Sequence, residues 1–320
     1  MAVTTLRSGR ESDEIYHGRS SAMRSFMNVV RTWPYLLPIV FFFVGWQLLP
    51  IFLAAKISFT DQRFLTADPV HWIWFQNYRA LIHDRLFWDG IGRALIFTAL
   101  FVPGMIMIPM VIAVMLDRVQ NRRLSTFYRI VLLIPSMIPA PLIFVLWGWL
   151  YNNYIGPINY ILVDVLHLYD IRTQPQWLND PKLVFISIAV MEWWWGLGYH
   201  TMFFLAGLAS IPKDIFDAAR VDGASEWRMF WGITVFRLLP VILVLMVVRF
   251  GTAMAVVDEY IIVGSFDKTR PTYTWTVYMY DTAFGGGSQF RGYAAAIGWM
   301  GALLMLVVVA GMFWLFRTRD

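Results

Sequence analysis

The sequence predicts an all-α, polytopic membrane protein with six transmembrane helices and a polar helix-Gly-helix loop between helices four and five. Composition is the first reason: the 320 residues are 58% hydrophobic and 15% charged, with a mean hydropathy of +0.57, too apolar for an ordinary soluble domain. The second is six apolar runs, each long enough to cross a hydrocarbon core of ~30 Å at about 1.5 Å per residue. The third is the polar stretch 211–237, which separates two of these runs.

The chain divides into a polar, arginine-bearing tail at 1–32 and a transmembrane domain at 33–320. The six spans are predicted at 35–55, 94–116, 130–151, 183–208, 238–257 and 293–316. Three prolines in or beside the third span, Pro135, Pro139 and Pro141, imply an irregular helix there, because proline lacks the N–H that a helix interior needs.

The distribution of basic residues predicts the orientation. The side that holds both termini and the polar loop carries 15 Lys and Arg residues, against 10 on the opposite side. Positive residues in flanking segments favour the cytosol. We therefore expect a multi-pass protein of the cytoplasmic (inner) membrane with both termini in the cytosol. The mixed-charge segment from Lys56 to Arg93, rich in tryptophan, is then expected on the outer side.

The residue types present narrow the chemistry. There is no cysteine, which excludes disulfides, thiol catalysis and cysteine-based metal sites. His200 has no second histidine near it in the sequence, so we expect it to hydrogen-bond between helices and assign no metal. We expect no cofactor and no nucleic-acid partner.

The polar stretch 211–237, called the docking loop below, has its own local signals. Pro212 suits a helix start, and Ile215 and Phe216 fall on one face of that helix. Gly223 permits a bend with positive φ, and Ser225 can cap a second helix. An apolar surface offered by such a loop is typical of a docking element, although a helix pair lying flat in the lipid headgroups would show a similar pattern.

The order of residues in the docking loop resembles the EAA loop of permease subunits in binding-protein-dependent ABC importers. The positions that carry this resemblance are Asp217, Ala218, Ala219, Asp222, Gly223, Ala224, Trp227 and Phe230. Fixed spacing over so many positions makes the match specific. Other matches to sugar permeases of the maltose/glycerol-phosphate type extend from Trp33 to the C-terminus. Asp217 replaces the usual Glu, and Phe236 replaces a usual Pro.

The resemblance implies the type I ABC importer permease fold and a transport subunit that is not itself an enzyme. Such subunits pair with a second permease subunit, bind two ATP-binding subunits through their EAA loops and receive a carbohydrate from an extracytoplasmic solute-binding protein. The eight loop positions would then couple the chain to the ATPase. The sequence contains no Walker-type G-x-x-x-x-G-K-[ST] motif for ATP hydrolysis.

Ionisable residues inside a bilayer are costly, so they are paired or functional. Glu192 and Arg249 are expected roughly 12 to 14 Å below the outer surface at 1.5 Å per residue, facing each other or a shared cavity. A purely structural pair is one interpretation. The other is a sugar path, with hydroxyls bonded by the charges and an aromatic face from the tryptophans at 193–195 or from Tyr199. The residues expected to line that path are Glu192, Trp193, Trp194, Tyr199, Arg249 and, by resemblance, Asp258.

Other functions stay open at this point. An ABC importer for a polyamine or an amino acid would have a similar sequence. A secondary transporter or channel working without ATP would not need the docking loop, and a membrane anchor would leave Glu192 and Arg249 unexplained.

Overall fold

The computed structural model describes residues 34–63, 66, 69–264, 266–285 and 289–315, and this part of the chain is helical with isolated β-bridges only. The predicted tail at 1–32 lies outside the described residues. The helices are α1 (Pro34–Ser58), α2 (Gln76–Ile82), α3 (Arg85–Asp117), α4 (Arg122–Leu133), α5 (Ala140–Leu150), α6 (Pro157–Tyr160), α7 (Val184–Ala209), α8 (Lys213–Val221), α9 (Glu226–Met229), α10 (Val235–Arg237), α11 (Leu239–Met254), α12 (Asp258–Gly264), α13 (Trp275–Phe284) and α14 (Arg291–Leu315).

Four helical segments in the described ranges are long and apolar enough to cross a membrane: Pro34–Ser58, Arg85–Asp117, Leu239–Ile262 and Arg291–Trp314. α7 has 26 residues, which at about 1.5 Å per residue also exceeds the ~30 Å hydrocarbon core. α1, as far as Ile57, belongs to a separate N-terminal unit and contains a π-helical stretch at Phe43–Leu48.

The third predicted span is broken, as its prolines indicate. α4 ends at Leu133, a 3-10 turn follows at Pro135–Met137, and α5 begins at Ala140. The break exposes backbone carbonyls, and the carbonyl of Ile138 accepts a hydrogen bond from the indole Nε1 of Trp195 at 3.1 Å. The side chain of a neighbouring helix thus satisfies a group that the proline break releases.

The second unit, Ser58–Asp320, is built around α3 and α7, which pack side by side. Phe97, Phe101 and Met105 of α3 are buried against Ile188 and Met191 of α7 in one apolar cluster. Close approach requires glycine where the helices meet. A Cβ at residue 104, in α3, would lie 2.3 Å from the ring of Trp193, a distance that real side chains do not tolerate. α11 packs against the same α3.

α3 begins at Arg85, earlier than the predicted start at 94. Asp84 caps this helix, its carboxylate accepting from the N–H of Leu86 at 2.9 Å. The charged residues Arg85, Asp89 and Arg93 made this first part look like an external loop. They lie on a helix that extends beyond the apolar run, because capping and tertiary contacts at its first turn hold it there.

Asp84 also joins three helices at the end of the fold opposite the docking loop. Its Oδ2 accepts hydrogen bonds from the hydroxyls of Tyr278 in α13 (2.5 Å) and Tyr293 in α14 (2.6 Å). Burial and the hydrogen bond to Asp84 raise the pKa of Tyr278, which lies outside the spans. This cluster fixes the start of α3 to α13 and α14.

Candidate functional site

The docking loop has the predicted helix-bend-helix structure. α8 begins after Pro212 and ends at Val221, and Gly223 follows with φ = 73°, a conformation that glycine adopts without steric cost. The side chain of Ser225 accepts from the N–H of Arg228 at 3.3 Å and caps α9. From α9 the chain continues as a π-helical stretch, Phe230–Thr234, and through α10 into the transmembrane helix α11.

The eight loop positions divide between an outer and an inner surface. Asp217, Ala218, Asp222, Gly223 and Trp227 are exposed, whereas Ala219, Ala224 and Phe230 are half-buried. Trp227 exposes 72% of its surface. Phe230 instead packs against the apolar cluster of α3 and α7, as do Ile215 and Phe216. The loop therefore rests on the helix bundle through one face and presents the other to a partner or to solvent.

An ion-pair network holds the docking loop to α3. Glu226 of α9 pairs with Arg118, which caps the C-terminal end of α3. It also lies 3.9 Å from the Nε of Arg220, whose Nη1 is 2.9 Å from Asp217. The pair of Arg118 and Glu226 was not predicted from the sequence, because no local pattern connects residues 108 positions apart.

A cavity of about 560 Å³ lies between α3, α7, α11 and the start of α12. Its wall is formed by Phe97, Phe101, Glu192, Trp195, Arg249, Thr252, Ala253, Ala255, Val256, Val257, Asp258 and Glu259. Three of the sequence-predicted path residues, Glu192, Arg249 and Asp258, thus come together on one cavity. Glu259, which directly follows Asp258, also lines the cavity, but it was not among the residues predicted for the path.

Arg249 makes its hydrogen bond to His200. Its Nε lies 2.6 Å from Nε2 of His200, and Nδ1 of the same imidazole lies 2.6 Å from the carbonyl oxygen of Gly196. Because a carbonyl only accepts, Nδ1 carries the proton and Nε2 accepts from the guanidinium. His200 is fully buried. The prediction that it hydrogen-bonds between helices is confirmed, since it joins α7 to α11.

Glu192 is 9% exposed, and none of the described residues gives its Oε1 a hydrogen-bond partner. Its carboxyl group lies next to that of Glu259. In the part of the chain that the structure describes, no ion pair within 4.0 Å joins it to Arg249, and the two residues share the cavity instead. The hydroxyl of Tyr260, close to both glutamates, is also buried and hydrogen-bonds to no group in the described part of the chain. This end of the cavity therefore has unused hydrogen-bonding capacity.

The aromatic wall of the cavity is not formed by Trp193, Trp194 and Tyr199, the aromatic residues predicted from the sequence. The Nε1 of Trp193 donates to the carbonyl of Phe101 at 2.9 Å, inside the α3–α7 contact. Trp194 packs on Trp147, and Tyr199 packs on Phe203. Instead Trp195, with Phe97 and Phe101, lines the cavity. In the described residues, no group of three or more His, Cys, Asp or Glu side chains is arranged to hold a metal ion.

Comparison with known proteins places these features in a family. The chain is 29% identical over 282 residues to a probable ABC transporter permease protein of Pyrococcus horikoshii, covering 88% of this chain and 91% of the relative. It is 27% identical over 272 residues to the sulfoquinovosyl glycerol transport system permease protein SmoG of Agrobacterium fabrum, covering 85% of each.

A chain in the crystal structure of a bacterial ABC transporter that imports the acidic polysaccharide alginate superimposes with a TM-score of 0.77 at 24% identity. The superposition covers 92% of this chain and 98% of that one. This likeness shows that the fold is that of an ABC importer permease. The sequence profile of the family described as binding-protein-dependent transport system inner membrane component matches residues 105–319. The chain therefore belongs to the family of binding-protein-dependent transport system inner membrane components.

Proposed function

We propose that this chain is the transmembrane subunit of an ATP-driven ABC importer and forms half of the translocation path for a carbohydrate. The observation that carries the proposal is the cavity, where Glu192, Arg249 and Asp258 meet an aromatic wall between apolar helices. Ionisable side chains at membrane depth mark substrate pathways when they face a cavity. A volume of about 560 Å³ falls within the ordinary range of small-molecule sites.

The chemistry of the wall suits a sugar. Hydroxyl groups need directional hydrogen-bond partners, which carboxylates and a guanidinium provide. The C–H faces of a pyranose ring pack on aromatic rings such as that of Trp195. The relative SmoG is named for the transport of sulfoquinovosyl glycerol, a sugar derivative. This supports a carbohydrate as the substrate of the present chain.

The docking loop would couple the path to ATP. Its exposed positions, with Trp227 foremost, would contact an ATP-binding subunit, while Phe230 and Glu226 tie the loop to the bundle. Because α9 leads through α10 into α11, a displacement of the loop would be transmitted to the helix that carries Arg249. The chain would itself hydrolyse nothing.

The assembly would contain a second permease subunit, two ATP-binding subunits and an extracytoplasmic solute-binding protein. Both termini and the docking loop would lie in the cytosol, and the Asp84 cluster would lie at the outer face of the cytoplasmic membrane. The excess of basic residues on the docking-loop side supports this orientation.

The proposal is tested by purifying the chain from its native membrane in mild detergent, identifying co-purified proteins by mass spectrometry and assaying ATP hydrolysis with candidate sugars. Recovery of a second permease and an ATP-binding subunit, with hydrolysis stimulated by a sugar and its binding protein, is the expected result. If only a polyamine or an amino acid stimulated ATP hydrolysis, the substrate would belong to that class and not to the carbohydrates. Recovery of the chain alone, with uptake independent of ATP, would refute the importer.

A further inference from the structure

The charges on the cavity wall bear on which carbohydrates can enter it. We propose that the cavity accepts neutral or amino-bearing sugars and rejects acidic ones, an inference that rests on the proposed function. Among the residues that the structure describes, the ionisable ones on the wall are Glu192, Asp258, Glu259 and Arg249, so three carboxyl groups face a single guanidinium.

The single cation gains no further positive charge from its neighbour. Arg249 uses its Nε for the hydrogen bond to His200, and that imidazole, which donates from Nδ1 to Gly196, brings no positive charge of its own. Two carboxyl groups as close as those of Glu192 and Glu259 can hold one proton between them, and the wall then still has two carboxylates against one guanidinium. An incoming uronate or sulfonate would therefore meet net negative charge.

The unused hydrogen-bonding atom points to the same class of ligand. Glu192 is nine-tenths buried and lines the cavity, and its Oε1 finds no hydrogen-bond partner within the described ranges. A buried carboxyl oxygen of this kind needs a hydrogen-bond partner. A sugar hydroxyl both donates and accepts, so it suits Glu192 with or without the shared proton, and an ammonium group suits the ionised form, whereas an ionised acid group supplies only acceptors.

The size of the effect follows from the distances in such a cavity. Like charges ~10 Å apart at an effective dielectric constant of about 20 repel enough to weaken binding about tenfold. An acidic sugar inside the cavity would lie nearer than this to several carboxylates. We therefore expect at least tenfold preference for the neutral form.

The test uses the complete complex of permeases and ATP-binding subunits, purified without its solute-binding protein, because that protein would filter sugars first. The complex is incubated with an equimolar mixture of neutral di- to tetrasaccharides and the same mixture oxidised to uronic acids at C6. Retained sugars are then identified by native mass spectrometry. At least tenfold enrichment of neutral over oxidised sugars is expected.

Equal or preferential retention of the oxidised sugars would overturn the charge inference while leaving a sugar importer in place. Retention of no sugar of either kind would instead count against the proposed function, and the inference would fall with it. As a second measurement, the double variant Glu192→Gln/Glu259→Gln should reduce the preference. Asp89→Asn, which removes an exposed carboxylate of α3, is the matched control and should leave it unchanged.

Discussion

Arg249 and His200 are joined across two transmembrane helices by a hydrogen bond of 2.6 Å from the guanidinium Nε to the imidazole Nε2. The residues lie 49 positions apart, in α11 and α7. The imidazole is fixed by its own hydrogen bond to Gly196 in the preceding turn of α7. The imidazole of His200 is thus a fixed acceptor that positions the guanidinium of Arg249, and the Arg249 side chain also lines the cavity.

Removing the acceptor at position 200 should impair transport by releasing Arg249. In His200→Leu the Nε–H of Arg249 loses its partner in a buried site, at a cost of about 1–3 kcal/mol. We expect the substrate KM to rise about tenfold or more in proteoliposome uptake, and His200→Gln, which keeps an acceptor, to recover part of the loss. Equal KM values in the two variants would show that the hydrogen bond has no role in transport.

Double-mutant cycles should reveal which residue Arg249 depends on. Arg249 hydrogen-bonds directly to His200, whereas Arg249 and Glu192 line the same cavity without such a bond. We therefore expect a coupling energy of about 1–3 kcal/mol between Arg249→Gln and His200→Gln, and a smaller one between Arg249→Gln and Glu192→Gln. Thermal unfolding and uptake of the single and double variants measure both. The reverse order of coupling would favour a direct Glu192–Arg249 ion pair.

Substitution of Gly223 should uncouple transport from ATP without preventing membrane insertion. Its φ of 73° is costly for alanine, by about 1 kcal/mol, and inaccessible to proline. Gly223→Pro also removes the N–H that bonds to the carbonyl of Arg220 at 3.0 Å. Gly223→Ala should reduce uptake per ATP hydrolysed, and Gly223→Pro should abolish it.

Gly232 provides a matched control in the same loop. It lies in the π-helical stretch, and its φ is not positive. A Cβ added at this position would have no atom within 4 Å. Gly232→Ala should therefore transport normally. If Gly232→Ala and Gly223→Ala were equally impaired, the special role of the bend would be disproved.

Reversing the charges that tie the docking loop to α3 should alter coupling more than stability. The Arg118 and Glu226 side chains are both about half exposed, and exposed ion pairs contribute only about 0–1 kcal/mol. Arg118→Glu and Glu226→Arg should each increase the ATP hydrolysed per sugar transported with little change in melting temperature. The double reversal should restore the ratio. Arg122→Glu, at the exposed start of α4, controls for a general charge effect.

Features that depend on neighbouring residues can be predicted from the sequence alone. Apolar runs predicted a helical membrane protein, and Pro135 and Pro139 predicted the break between α4 and α5. Gly223 and Ser225 predicted the bend and cap of the docking loop, because positive φ and N-capping are properties of a few consecutive residues. His200 was expected to bond between helices, since a buried imidazole in a bilayer needs partners.

Which distant side chains meet depends instead on the tertiary structure. Consecutive residues on a helix point about 100° apart, so Trp193 enters the contact with α3, Trp194 packs on Trp147, and Trp195 reaches the cavity. The sequence alone does not distinguish these three tryptophans. The partner of Arg249 depends in the same way on the relative rotation and depth of α7 and α11. These are set by packing across the whole bundle, and no local pattern encodes them.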